Sequence, residues 1–281
     1  AKTAGDEKDE KHQGVFNFST PSKVPSSQPV LEFAPPPQKS HHPSPPTSVR
    51  GTQKHHWKLD FMNAIQANDP GRLSKVITQH KEANANFKIS SPLDPSRFTY
   101  PLHFALQHKL LDVATQIIDE IEFDPNAKDS MGHTALSLTL ENGEYSLFKD
   151  LLSVSDLNVQ VLDGFNLVHL AASMQSVSPV FLIDLKTAGA DFSVACKKHN
   201  RTVLQYAVAA NNLVLIKWIN ENTDCTLSGD VRNKFVLLET LKDKNYHLVK
   251  ELINHGAVLD CVDEETGKNV LHFIAESGII R

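Results

Sequence analysis

The chain has 281 residues, 40% of them hydrophobic and 22% charged, an ordinary globular composition with room for one or two domains and a sizeable core. A formal net charge of −5 argues against nucleic acid or anionic lipid as a direct partner, since a basic surface usually carries such binding. Cys196, Cys225 and Cys261 are too far apart for a CxxC knuckle and odd in number, so neither a disulfide framework nor a thiolate metal site is expected.

No apolar run approaches the roughly 18 to 20 residues that span a bilayer, and the opening AKTAGDEKDEKHQG is unlike a signal peptide. A soluble protein of the cytoplasm, the nucleus or both is expected, with reduced thiols and accidental sequons at Asn17 and Asn200. A chain that opens on Ala1 reads as a fragment or a processed product. Residues 1–56, with PSKVPSSQP and APPPQKSHHPSPPTS, hold too little apolar surface to offset their chain entropy and are expected to form a disordered arm. Two apolar islands interrupt it, VFNF at Val15 to Phe18 and VLEF at Val30 to Phe33, either linear motifs or chance hydrophobics of a linker. Pro43-Ser44-Pro45-Pro46 fits the PxxP pattern of SH3 and WW ligands, a pattern that proline-rich linkers often match. The pairs His41-His42 and His55-His56 lack the ordered surroundings that hold a metal ligand, so no metal and no cofactor is expected.

From Trp57 the composition changes and a repeat begins, giving a second domain over residues 57–281. A degenerate first unit runs LDFMNAIQANDPGRLSKVITQH, with Phe61 as its anchor and Ala64 at a small-residue position. After the insert SSPLDPSR come YPLHFAL, TALSLTL, LVHLAAS, TVLQYAV, FVLLETL and NVLHFIA. Their anchors are Leu102, Leu136, Val168, Leu204, Leu238 and Leu271, in steps of 34, 32, 36, 34 and 33 residues. A second run follows each of the first five, namely LLDVATQIIDEI, YSLFKDLLSV, PVFLIDLKTA, LVLIKWINEN and YHLVKELINHG. Apolar residues recur there three and four apart, which predicts amphipathic helices. Ser178 before Pro179 is a start signal, Gly189 and Gly256 are stop signals, and turn-rich connectors such as DPNAKDSMGH and ADFSVACKKHN link the units. The last unit, NVLHFIAESGIIR, supplies one helix and leaves Ile279 and Ile280 without a second helix to cover them.

A unit of about 33 residues that starts near Thr-Pro-Leu-His-x-Ala resembles the ankyrin repeat, and Tyr100-Pro101-Leu102-His103-Phe104-Ala105 matches five of those six positions. The resemblance implies an all-α solenoid of six to seven helix-turn-helix units with short β-turn fingers. It also implies that His103, His169 and His272 bond locally and hold the turn before the first helix. Ser137, Gln205 and Glu239 stand in place of that histidine in three units, and Leu241 in place of the small alanine in the sixth. Seven units behind an arm, and the segment HNRTVLQYAVAANNLVLIKWI, resemble the inhibitor-of-NF-kappa-B subgroup.

No GxGxxG, Walker loop, GxSxG or HExxH is present, so no catalytic residue is assigned and the chain is not expected to be an enzyme. The resemblance implies a protein-protein interaction module, an adaptor, scaffold or regulator, that takes a protein partner in a concave groove. An alternative is the targeting arm of a microbial effector or of a larger enzyme. Carried over by register, the groove comprises Ser130, Met131, His133, Glu141, Asn142, Leu162, Asp163, Phe165, Ser173, Met174, Lys198, His199 and Arg201. Met131, Leu162, Phe165 and Met174 are apolar where such positions are normally polar, and are expected to form one exposed patch rimmed by basic residues.

Overall fold

The computed structural model describes residues 56–90, 94–162, 164–175, 177–229 and 231–278. The arm with its apolar islands and PxxP motif, Asn17, His41, His42, His55, Asp163, Ile279 and Ile280 lie outside the described residues. From His56 onward, helices alternate with turns. Helices α1 (His56–Gln66) and α2 (Pro70–Gln79) form unit 1, α3 (Pro101–Gln107) and α4 (Leu111–Glu120) unit 2, and α5 (Ala135–Asn142) and α6 (Tyr145–Leu152) unit 3. Unit 4 is α7 (Leu167–Ser173) with α8 (Pro179–Thr187), unit 5 is α9 (Val203–Ala209) with α10 (Leu213–Asn222), and unit 6 is α11 (Val236–Lys242) with α12 (Tyr246–Asn254). Helix α13 (Val270–Ser277) begins unit 7. Each first helix packs on the first helix of the next unit, and α2, α4, α6, α8 and α10 pack in a second row behind them.

Helices of 7 to 11 residues are too short to persist alone in water, so caps and packing must hold them. Thr134 and Thr202 close capping boxes on α5 and α9, Asn166 caps α7, and Pro70, Pro101 and Pro179 occupy first-turn positions where a missing N–H costs nothing. The link between the two helices of a unit passes through the left-handed region at Asn68, Lys109, Gly143, Asn211 and Lys244, with φ between 48° and 74°. Three of these five positions are Gly or Asn, which enter this region at low cost, and at Lys109 and Lys244 helix packing imposes it. One apolar core runs without a break from Trp57 to Ile274. At its N-terminal end Trp57, Phe61 and Phe87 meet edge to face with centroids 5.6 to 6.0 Å apart, and they close unit 1 as a cap.

The insert after unit 1 is flanked by two short antiparallel strands that sequence periodicity did not show, β1 (Ile89–Ser90) and β2 (Phe98–Thr99), paired Ile89 to Thr99 and Ser90 to Phe98. The extra residues therefore lengthen the first finger and leave the helical stack intact.

Unit 6 departs from the expected register by one residue. In units 1, 2, 3 and 5 the N–H after the helix link bonds the carbonyl of the small residue, Ala64, Ala105, Thr139 and Ala207, and in unit 6 that carbonyl belongs to Thr240. Thr240, not Leu241, thus takes the alanine place, and Leu238, not Glu239, takes the histidine place. The cause is local: a 3-10 turn at Val231–Asn233 leads into Phe235, whose φ of −90° and ψ of −3° are already helical, where other units enter from extended backbone.

Candidate protein-binding surface

The fingers between units form a row joined by hydrogen bonds, first between backbones and then through side chains. Ser130 N–H donates to the Phe98 carbonyl at 2.9 Å, and Leu162 N–H donates to the Gly132 carbonyl at 3.1 Å. The next finger is joined through the Cys196 thiol, 3.5 Å from the Gly164 carbonyl. The one after is joined through Arg232, whose Nη2 donates to the Ser193 carbonyl at 2.7 Å.

Of the three repeat histidines, His103 bridges to the next unit, His169 faces it, and His272 alone holds its own turn as expected. His103 Nε2 lies 3.1 Å from the carbonyls of both Ala127 and His133, on the finger that follows. His169 faces the carbonyls of Val194 and Arg201 without closing a hydrogen bond to either, and its burial pushes its pKa down to about 4. Gln205 reproduces the reach by donating from Nε2 to the Arg232 carbonyl at 2.7 Å, whereas His272 is exposed and bonds only the Asn269 cap.

The finger of Ser130 and Met131 is held from beneath. Asp129 Oδ1 accepts from the N–H groups of Met131 and His133, each at 2.9 Å, and Gln107 Nε2 donates to Oδ2 at 2.9 Å. The sequence placed His133 on the groove surface; the structure buries it completely. Its Nδ1 lies 3.4 Å from Asp129 and its Nε2 3.5 Å from Glu141. Burial opposes charge on this ring, but the Asp129 bond and the two carboxylate charges outweigh it and leave the pKa above the ordinary histidine value. Burial lifts the Glu141 pKa, with His133 opposing. For Asp129, burial pulls upward and the bonds and charge of His133 prevail, so its pKa falls below the usual carboxylate value. A ring with no exposed surface meets no partner; it fixes the finger that Met131 caps.

The other expected groove residues divide in two. Met131 is 43% exposed, and Ser130, Lys198 and His199 are exposed. Glu141, Asn142, Ser173, Met174, Leu162, Phe165 and Arg201 are half-buried. Asn142 is engaged across units, donating to the Leu106 carbonyl at 2.9 Å, and Ser173 bonds its own helix. Leu162, Phe165 and Met174 pack partly against the core, so the apolar patch is less exposed than expected, with Met131 its outermost member. The structure does bring the fingers together: the Phe165 ring lies 6.1 Å from that of His199 and 5.0 Å from that of Tyr206. Sequence reasoning missed Lys197, exposed on the same finger, and Tyr206, a buried ring that supports Phe165 and His199 from beneath. A depression beside His103 has room for little more than a water molecule, far short of the roughly 300 to 1,000 Å³ of small-molecule sites.

No family model matches the sequence, and no curated protein matches it. The backbone resembles that of the ankyrin repeat domain of Bcl-3, described as a unique member of the IkappaB protein family. The likeness has a TM-score of 0.61 at 19% identity, and covers 76% of this chain and 92% of that one. The chain adopts the ankyrin-repeat fold. Solved chains that match this backbone number 330, and a fold so widely shared does not select a partner.

Proposed function

We propose that the chain is a protein-interaction module that takes a partner along the finger row and inner helices of units 2 to 5. The observation that carries this reading is the strip running from exposed Met131 past Leu162 and Phe165 to Lys198 and His199, an apolar centre with a polar rim on a rigid, cross-bonded row. A photo-crosslinking amino acid at position 131, compared with one at the exposed Val214 on α10, tests it. Crosslinks to a discrete protein from position 131 but not from 214 are expected, displaced by the unaltered unlabelled chain and at least about tenfold less well by unlabelled Phe165→Leu or Met131→Ser. Equal yields from the two positions would remove the groove as the site.

The likeness to the Bcl-3 domain supports a narrower reading, an inhibitor-of-NF-kappa-B-like regulator acting in the cytoplasm or nucleus. Titration with purified NF-kappa-B tests it: saturable binding lost in Met131→Ser is expected, and no binding sets this narrower reading aside.

A further inference from the structure

We infer that the finger between units 4 and 5 is the anchor for an acidic, extended segment of a partner protein that also carries an apolar side chain. The inference rests on the groove reading above and gives the partner its chemistry. In a chain of net charge −5, the turn Cys196-Lys197-Lys198-His199-Asn200-Arg201 holds three fixed positive charges and a histidine in five consecutive residues, with no carboxylate among them. Lys197, Lys198 and His199 are all exposed. Their backbone is fixed, because Cys196 N–H donates to the Arg201 carbonyl at 2.8 Å, Asn200 N–H donates to the Cys196 carbonyl at 2.7 Å, and Asn200 sits at a φ of 51°. Charges on a rigid turn lose less freedom on binding than charges on a loose loop.

Two further features give the turn a direction and a specificity. On one side, the half-buried Phe165 ring lies between His199 and Tyr206, and His199 Nδ1 is 3.0 Å from the Tyr206 hydroxyl, so an apolar floor adjoins the cations. On the other side, Arg232 reaches back to the Ser193 carbonyl, and Lys234 is half-buried on the same finger. Among the described residues, the carboxylates on these fingers and the helix beside them are Asp191, which Ser193 holds, exposed Asp224, and Glu239, half-buried on α11 beside Arg201 and Lys242; Asp163 and Asp230 lie outside the described residues. The next finger reverses sign: Asp260, Glu264 and Glu265 are exposed there, and Asp263 binds Lys242 at 2.7 Å. A segment lying along the row therefore meets cations and an aromatic floor at units 4 and 5 and repulsion beyond unit 6. That sets its register along the row and makes its binding depend on these charges.

The test uses the full chain and a fluorescent 12-residue peptide of glutamates with one central leucine, followed by anisotropy. Binding should weaken at least tenfold when glutamine replaces every glutamate, at least tenfold in Lys197→Glu/Lys198→Glu, and steeply between about 0.05 M and about 0.5 M salt. Lys217→Glu, on the exposed outer helix α10, is the control and should bind as the unaltered chain does. Equal affinity for the glutamate and glutamine peptides, or full binding by the double reversal with unchanged thermal unfolding, overturns the inference. If the peptide binds only after Asp6, Glu7, Asp9 and Glu10 are neutralised, the chain's own arm is the occupant and the assignment to a partner fails. The groove reading is tested separately: crosslinks from position 131 that survive Lys197→Glu/Lys198→Glu leave it standing while this inference falls.

Discussion

At the scale of single residues, two of the three buried histidines among the described residues, His169 and His133, titrate in opposite senses. Among the described residues no carboxylate acts on His169, and burial holds its pKa near 4, below the ordinary 6.5. A depressed folded-state value means that the unfolded chain binds the proton more readily. Its contribution is therefore fully present above about pH 6.5 and is lost as pH falls through the folded value, for a total of roughly 3 kcal/mol. His133, between Asp129 and Glu141, has a raised value, so its contribution is present below the ordinary value and is lost as pH rises through the raised one. Urea unfolding of His169→Gln at pH 7 and pH 4.5 isolates the first effect. Glutamine is a side chain the array already uses at this place in Gln205, and the variant should lose less stability on acidification than the unaltered chain. An identical pH dependence in the two chains would show that His169 is not held neutral. That a histidine recurs at this place was legible in the sequence. Its bonding across units was not, because the acceptors lie 24 and 30 residues away from His103.

At the scale of elements, the caps differ in what lies behind them. Thr134 Oγ1 accepts only from Ser137 N–H, within its own helix end. Thr202 Oγ1 accepts from Gln205 N–H and also donates to Asn233 Oδ1 at 2.5 Å, and Asn233 Nδ2 donates on to the Thr226 carbonyl at 2.9 Å. Removing a cap costs about 1 kcal/mol, and stranding a buried acceptor adds about another. Thr202→Ala should therefore lower the unfolding free energy by about 2 kcal/mol and Thr134→Ala by about 1, read from urea midpoints. Equal losses would mean that the link to Asn233 contributes nothing. Helix positions were largely readable, since the period near 33 residues and the small residue fixed most of them. Unit 6 was misread by one because Leu237 and Leu238 are both apolar, so periodicity cannot choose between them, and the helical entry at Phe235 leaves no sequence mark. His133 was misplaced for a related reason: a polar residue at a finger tip reads as exposed until Asp129 and Glu141 are seen to enclose it.

At the scale of the whole molecule, each unit touches only its neighbours, so burial at equivalent positions reports whether a neighbour is present. Leu204 at the unit 5 anchor is 0% exposed beneath unit 6, while Leu271 at the unit 7 anchor is 58% exposed. The two leucines sit at the same place on homologous helices, behind Thr202 and Asn269 caps of the same kind. Helix propensity therefore cancels in their comparison, and what remains is the apolar area each hides. Leu204→Ala removes buried methyl groups and leaves a cavity, a loss of about 2 to 5 kcal/mol. Leu271→Ala removes groups already in water, and alanine's better helix propensity offsets what little contact is lost, so its effect should stay within about 0.5 kcal/mol. Urea unfolding of both variants, followed by circular dichroism, measures the difference. A loss at Leu271 comparable with that at Leu204 would mean that α13 is covered in solution by something these described residues do not contain, and the array would then have to be redrawn with a further layer on that face.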